Sequence, residues 1–107
     1  DFPDYAKKLG NSIISNEVDL GIAICGTGIG MSIALNKIKK VYCAKVSTQS
    51  EAALSKSHNN ANVIAISEEM DKELMKEIIK TFIETPFSNI DRYKIRNKKI
   101  EDIENNV

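Results

Sequence analysis

The sequence is short of several things, and each shortage removes a class of protein. Of its 107 residues only two are cysteine, Cys25 and Cys43. Two thiols cannot staple a secreted scaffold, so a reducing, cytoplasmic setting is the default expectation. Neither charge is in excess: fifteen Lys and Arg balance fifteen Asp and Glu, which argues against a nucleic-acid binder working through a basic face. No apolar run approaches the ~18 residues that cross a bilayer, and no basic-then-apolar leader opens the chain. There is one histidine, His58, and no Cys/His/Asp cluster has metal-ligand spacing. Internal repeats, low-complexity tracts and linkers are also lacking. What the chain does have is 42% hydrophobic residues, enough to bury a core, so disorder is excluded and one domain is expected.

Apolar residues at Tyr5, Ala6, Leu9 and Ile13 recur at helical spacing and predict a helix from Pro3 to Ile14, ended by Ser15-Asn16. Leu20 to Cys25 is a short apolar run without a polar face, the pattern of a buried parallel strand. After the turn Gly26-Thr27-Gly28-Ile29-Gly30, a helical pattern resumes from Met31 to Lys37, and Val41 to Val46 reads as a second strand. Thr48-Gln49-Ser50-Glu51 has the form of a capping box and starts a helix that runs to Ser57. Asn62 to Ile66 is the third strand. Leu74, Met75, Ile78, Ile79, Phe82 and Ile83 stripe a helix from Asp71 to Thr85, stopped by Pro86. The polar stretch from Asp91 to Asn106 reads as a second, frayed helix. Strands alternating with helices predict a Rossmann-like three-layer α/β sandwich with a parallel sheet. Three strands are few for such a sheet, and the opening Asp1-Phe2-Pro3-Asp4 reads as the interior of a longer chain.

Strand, glycine-rich turn and helix make an anion site, because glycines let backbone N–H groups converge and the helix start adds positive partial charge. Without Gly-Lys-Ser/Thr this is not a nucleoside-triphosphate loop. The spacing G-x-G-x-G, with no acid at the end of the second strand, also argues against a dinucleotide site. Cys25 is the last residue of its strand and faces the helix start, a setting that favours the thiolate. The same spacing fits a small buried hydrophobe equally well.

His58 lies at a helix-to-strand turn, from which it is expected to face the same ligand region; acid–base work and a solvated or capping role both fit. Arg92 and Arg96, four apart, project from one helix face and can clamp a phosphate. With Lys94, Lys98 and Lys99 nearby, a plain solvated basic face is the alternative.

Gly21-Ile22-Ala23-Ile24-Cys25-Gly26-Thr27-Gly28-Ile29-Gly30-Met31-Ser32-Ile33-Ala34, followed by Asn36-Lys37, resembles the site motif of the ribose-5-phosphate isomerase B family. Ser55-x-x-His58-Asn59-Asn60-Ala61-Asn62-Val63 is similar to that family's second signature, and Asp1-Phe2-Pro3-Asp4-Tyr5-Ala6 to its D-Y-P-x-Y-A. The resemblance implies an aldose–ketose isomerase of the pentose phosphate pathway, interconverting ribose 5-phosphate and ribulose 5-phosphate through an enediolate. It implies that Cys25 is the base that moves the proton. The amides of Gly26, Gly28 and Gly30, with the Thr27 hydroxyl, would steady the enediolate oxygen. His58 would open the sugar ring, Asn59 would contact the sugar, and Arg92 and Arg96 would bind the phosphate. No metal or organic cofactor is called for, nor any nucleic-acid or membrane partner. The family's protomers pair as dimers or higher homo-oligomers and share their sites, with residues 86–107 as the arm expected to reach across.

The departures are specific. The family's N-terminal strand, helix and second strand have no counterpart, so residues 1–107 are expected to be a single, N-terminally truncated domain. The tail pattern G-G-R-H-x-x-R appears as Asn89-Ile90-Asp91-Arg92-Tyr93-Lys94-Ile95-Arg96, with Tyr93 for the histidine. An arginine that follows the family's N-K motif falls at Tyr42. Two other readings stay open: a galactose-6-phosphate or other hexose-phosphate isomerase subunit, and a non-catalytic sugar-phosphate binder.

Overall fold

The computed structural model describes residues 1–106; Val107, the last residue of the expected arm, lies outside the described residues. The order of elements is α1 (Phe2–Ile14), β1 (Gly21–Cys25), α2 (Ile29–Leu35), β2 (Cys43–Lys45), α3 (Gln49–Ser57), β3 (Val63–Ser67), α4 (Lys72–Glu84) and α5 (Asp91–Glu104). Local chemistry sets most of these boundaries. Thr48 caps α3 by accepting the Glu51 N–H, and the Glu51 carboxylate reaches back to the Thr48 N–H, the reciprocal pairing that its spacing predicts. Asp71 caps α4 through the Leu74 N–H. Asn16, at φ 63°, turns the chain out of α1.

The three strands are parallel in the order β1-β3-β2. Central β3 is covered on both faces, and Val63, Ile64, Ala65 and Ile66 are fully buried, which is why its sequence shows no polar alternation. One face packs Ala23, Val63 and Ala65 against Ala6 and Ile13 of α1 and Met31 and Leu35 of α2. The opposite face packs Ile64 and Ile66 against Ala52 of α3 and Ile78 and Phe82 of α4. The result is the three-layer Rossmann-like sandwich expected from the sequence.

Two expectations need correction. The second strand covers Cys43–Lys45 rather than Val41 to Val46, and side chains bond its outer edge and the residues that lead into it. The Asn36 amide both accepts from the Cys43 N–H and donates to its carbonyl, each at 2.8 Å. Asn62 does the same for the Tyr42 N–H and the Lys40 carbonyl. An edge strand satisfied in this way offers less of a template to another strand. The polar tail is not frayed: α5 is a continuous helix of 14 residues. Its end is anchored by Glu104, which accepts from the Lys40 N–H at 2.9 Å and from the Tyr42 hydroxyl at 3.3 Å.

Candidate active site

The glycine turn occupies the carboxyl end of β1. Gly28 is the N-cap of α2 at φ 82°, a left-handed conformation in which a side chain is strained. Space for one is also tight, since a Cβ at Gly28 would lie 3.2 Å from the Ile66 carbonyl carbon. The turn is thereby pressed onto β3. The end of β3 pins it further: the Ser67 hydroxyl donates to the Gly26 carbonyl at 2.7 Å, and the Glu68 N–H donates to the Cys25 carbonyl at 2.8 Å.

This packing carries the Gly28 N–H to the Cys25 sulfur at 3.2 Å. The sulfur is half-buried against the α1–α2 face of the core and accepts that donor beside the start of α2. Thr27 is exposed, and its Oγ1 accepts the Ile29 N–H at 3.2 Å, leaving the hydroxyl proton free to donate. Gly26 is open on its outer side, with nothing near its missing Cβ. Gly30 differs from the expected turn residue. It sits inside α2, and its lack of a side chain admits the Phe2 ring of α1, which a Cβ would meet at 2.6 Å.

His58, Asn59, Arg92 and Arg96 form a second group, and the structure does not bring it to the first. In a parallel sheet each connecting helix returns the chain from the carboxyl edge to the amino edge. α3 leaves the end of β2 and delivers His58, its C-cap, to the start of β3. Cys25 is paired with Ser67 at the far end of that strand, four residues beyond Val63, which is about 13 Å at ~3.3 Å per residue. Within one chain, therefore, His58 does not face the glycine turn.

The second group is ordered by α5. The imidazole of His58 stacks on Tyr93, with ring centroids 4.2 Å apart and planes inclined by 22°. Arg92 and Arg96 hold their guanidinium carbons 4.7 and 5.9 Å from the centre of the same ring. Asn97 donates to the His58 carbonyl at 2.9 Å and accepts from Asn59 at 3.2 Å. A cleft of about 320 Å³ opens beside this turn, with Asn59, Asn60, Lys94 and Lys98 among its lining residues.

Ser67 and Asn97 are organising residues that sequence reasoning missed; Tyr93 was noted only as a departure in the tail pattern, without a role. Ser67 had one available signal, its place at the carboxyl edge beside Cys25. The other cysteine lacks such a setting: burial pushes the Cys43 thiol up to about 11. Among the described residues, no group of three or more His, Cys, Asp or Glu is arranged to hold a metal ion, and no helix is long and apolar enough to cross a membrane.

Residues 1–100 match the profile of the family described as Ribose/Galactose Isomerase. Ribose-5-phosphate isomerase B of Escherichia coli is 37% identical over 105 residues, covering 97% of this chain and 70% of its own. A Bacillus subtilis relative, itself provisionally assigned as a sugar phosphate isomerase, is 42% identical over 105 residues, at 97% and 70% coverage. The structure of type B ribose 5-phosphate isomerase from Trypanosoma cruzi superposes with a TM-score of 0.97 at 41% identity, over all of this chain and 72% of that one. The corresponding Thermotoga maritima structure gives 0.90 at 44% identity, over 95% and 70%. Parallel sheet, glycine turn and matched length agree: the chain belongs to the ribose/galactose isomerase family.

Proposed function

We propose that the chain is an aldose–ketose isomerase that interconverts D-ribose 5-phosphate and D-ribulose 5-phosphate, in cytoplasmic pentose phosphate metabolism. The observation that carries this reading is the Cys25 sulfur at 3.2 Å from the Gly28 N–H, at the mouth of the glycine turn. As thiolate, Cys25 takes the C2 proton of the open-chain aldose. The electron pair moves through the C1–C2 bond onto the carbonyl oxygen O1, giving an enediolate; the hydroxyl proton passes from O2 to O1, and return of the first proton from Cys25 to C1 yields the ketose. Carbon 2 is oxidised as carbon 1 is reduced, so no external redox partner enters. Backbone N–H groups of the turn and the Thr27 hydroxyl steady the charge that develops on oxygen. His58 opens the furanose ring, Asn59 binds the sugar, and Arg92 and Arg96 grip the phosphate.

These roles require both groups in one site. Their separation along β3 supports a homo-oligomer in which the glycine turn of one copy meets His58, Asn59 and the α5 arginines of another. Exposed Ile29 and Ile33 on α2, one helical turn apart, supply apolar surface beside the turn for such a contact. The family description, which spans ribose and galactose enzymes, favours one second reading, a hexose-phosphate isomerase subunit. Turnover of ribose 5-phosphate measured beside allose 6-phosphate, on the full-length protein, separates the two: kcat/KM should favour the pentose, and preference for the hexose would overturn the assignment.

A further inference from the structure

Three side chains of the second group, His58, Arg92 and Arg96, converge on one aromatic ring. Tyr93 stacks its ring on the His58 imidazole at 4.2 Å. Its hydroxyl accepts from Arg92 Nη2 at 3.0 Å, and the Arg92 guanidinium also lies 4.7 Å from the ring centre. Arg96 approaches the same ring at 5.9 Å. Tyr93 is half-buried while both arginines are exposed. Exposed arginines carry large side-chain entropy, and a ligand that captures them free in solvent must first order them. An imidazole at a helix terminus likewise rotates unless something flat holds it.

Resting on the sugar-phosphate isomerase reading above, we propose that Tyr93 is a positioning residue: its ring sets the plane of His58, and its hydroxyl sets the fork of Arg92. The two jobs reside on different atoms and can be separated. Y93F keeps the ring and loses only the hydroxyl, whereas Y93A loses both. Tyr93 offers both a stacking face for the imidazole and an acceptor within the arginine's reach.

His58 is the only histidine of these 107 residues, and in the full-length protein its ring-proton NMR signal is assigned by its loss in His58→Gln, a reading that needs no activity. In the full-length protein that signal should be displaced by the Tyr93 ring current in wild type and in Y93F, and should return to its solvent position in Y93A. In kinetics, Y93F should raise KM for ribose 5-phosphate about three- to ten-fold, the effect of one charge-assisted hydrogen bond, and keep kcat within about two-fold. Inhibition by inorganic phosphate should weaken by the same factor. Y93A should add a fall in kcat of about ten-fold through the released imidazole. A merely structural role would reduce the active fraction and leave KM and phosphate inhibition alone. If Y93A folds poorly, the Y93F pair of constants decides alone. An undisplaced His58 signal in wild type, or Y93F constants equal to those of wild type, overturns the proposal. Wild-type protein that turns over no sugar phosphate sinks the isomerase reading instead, and the NMR comparison still judges Tyr93.

Discussion

Cys25 and His58 stand at opposite ends of the same parallel strand pair, the first beside Ser67 and the second just ahead of the start of β3. The relationship follows from chain direction alone. A residue that ends a strand and a residue that ends a crossover helix face opposite edges of the sheet. The isomerisation proposed above uses both groups, and its site is accordingly proposed to join two copies of the chain.

Replacement of Cys25 by Ser should lower kcat by about 10²- to 10⁴-fold, the usual contribution of a positioned base, with KM within a few-fold of wild type. A serine hydroxyl beside the Gly28 N–H stays protonated near neutrality. A serine variant that keeps kcat within a few-fold would remove Cys25 from the role of base.

The turn's glycines should differ in tolerance. Gly28→Ala forces a side chain into a left-handed backbone and against the Ile66 carbonyl carbon at 3.2 Å, and should cost about 1–3 kcal/mol of stability in urea denaturation. Gly26→Ala meets open space and should change stability by no more than about 0.5 kcal/mol. Equal costs at the two positions would contradict the described geometry.

Two titrations set opposite pH windows. The Glu51 carboxyl is held below its usual range by the Ser47 N–H and hydroxyl, with the Thr48 N–H adding to them. Its contribution is present above about pH 4.5 and is lost as pH falls through the lowered value. The stability gap between wild type and Glu51→Gln should therefore close in acid. Cys43 runs the other way. Its buried neutral thiol ionises near 9 when unfolded and about 11 when folded, so its contribution is full below 9 and fades as pH rises toward 11. Cys43→Ala should flatten that alkaline limb in denaturation midpoints recorded between pH 8 and 11; an unchanged limb would count against burial as the cause.

Much of this was readable from the sequence because the signals are local. Thr48 and Glu51 need only each other to form their box, the Leu74–Phe82 stripe needs only its own helix, and the Gly26–Gly30 spacing marks the turn. The features that sequence reasoning missed are those fixed by distant partners. α5 was legible as a helix but not its docking: it has no buried residue of its own and is held by Asn97 on His58 and by Glu104 on Lys40 and Tyr42. The truncated β2 depends on the Asn36 amide, which acts as a pseudo-strand. The family resemblance supplied names for His58 and Arg92, but only the direction of α3 tells that they face away from Cys25.

The shared site is tested most directly by mixing two inactive full-length variants, Cys25→Ser and His58→Ala, denaturing and refolding them together, and assaying ribose 5-phosphate isomerisation. In a two-fold dimer with composite sites, half of the random assemblies are mixed, and each mixed dimer holds one intact site and one doubly altered site. The account predicts recovery of about a quarter of wild-type activity from equal amounts of the two. A mixture as inactive as its components, despite mass-spectrometric evidence of mixed oligomers, would contradict it.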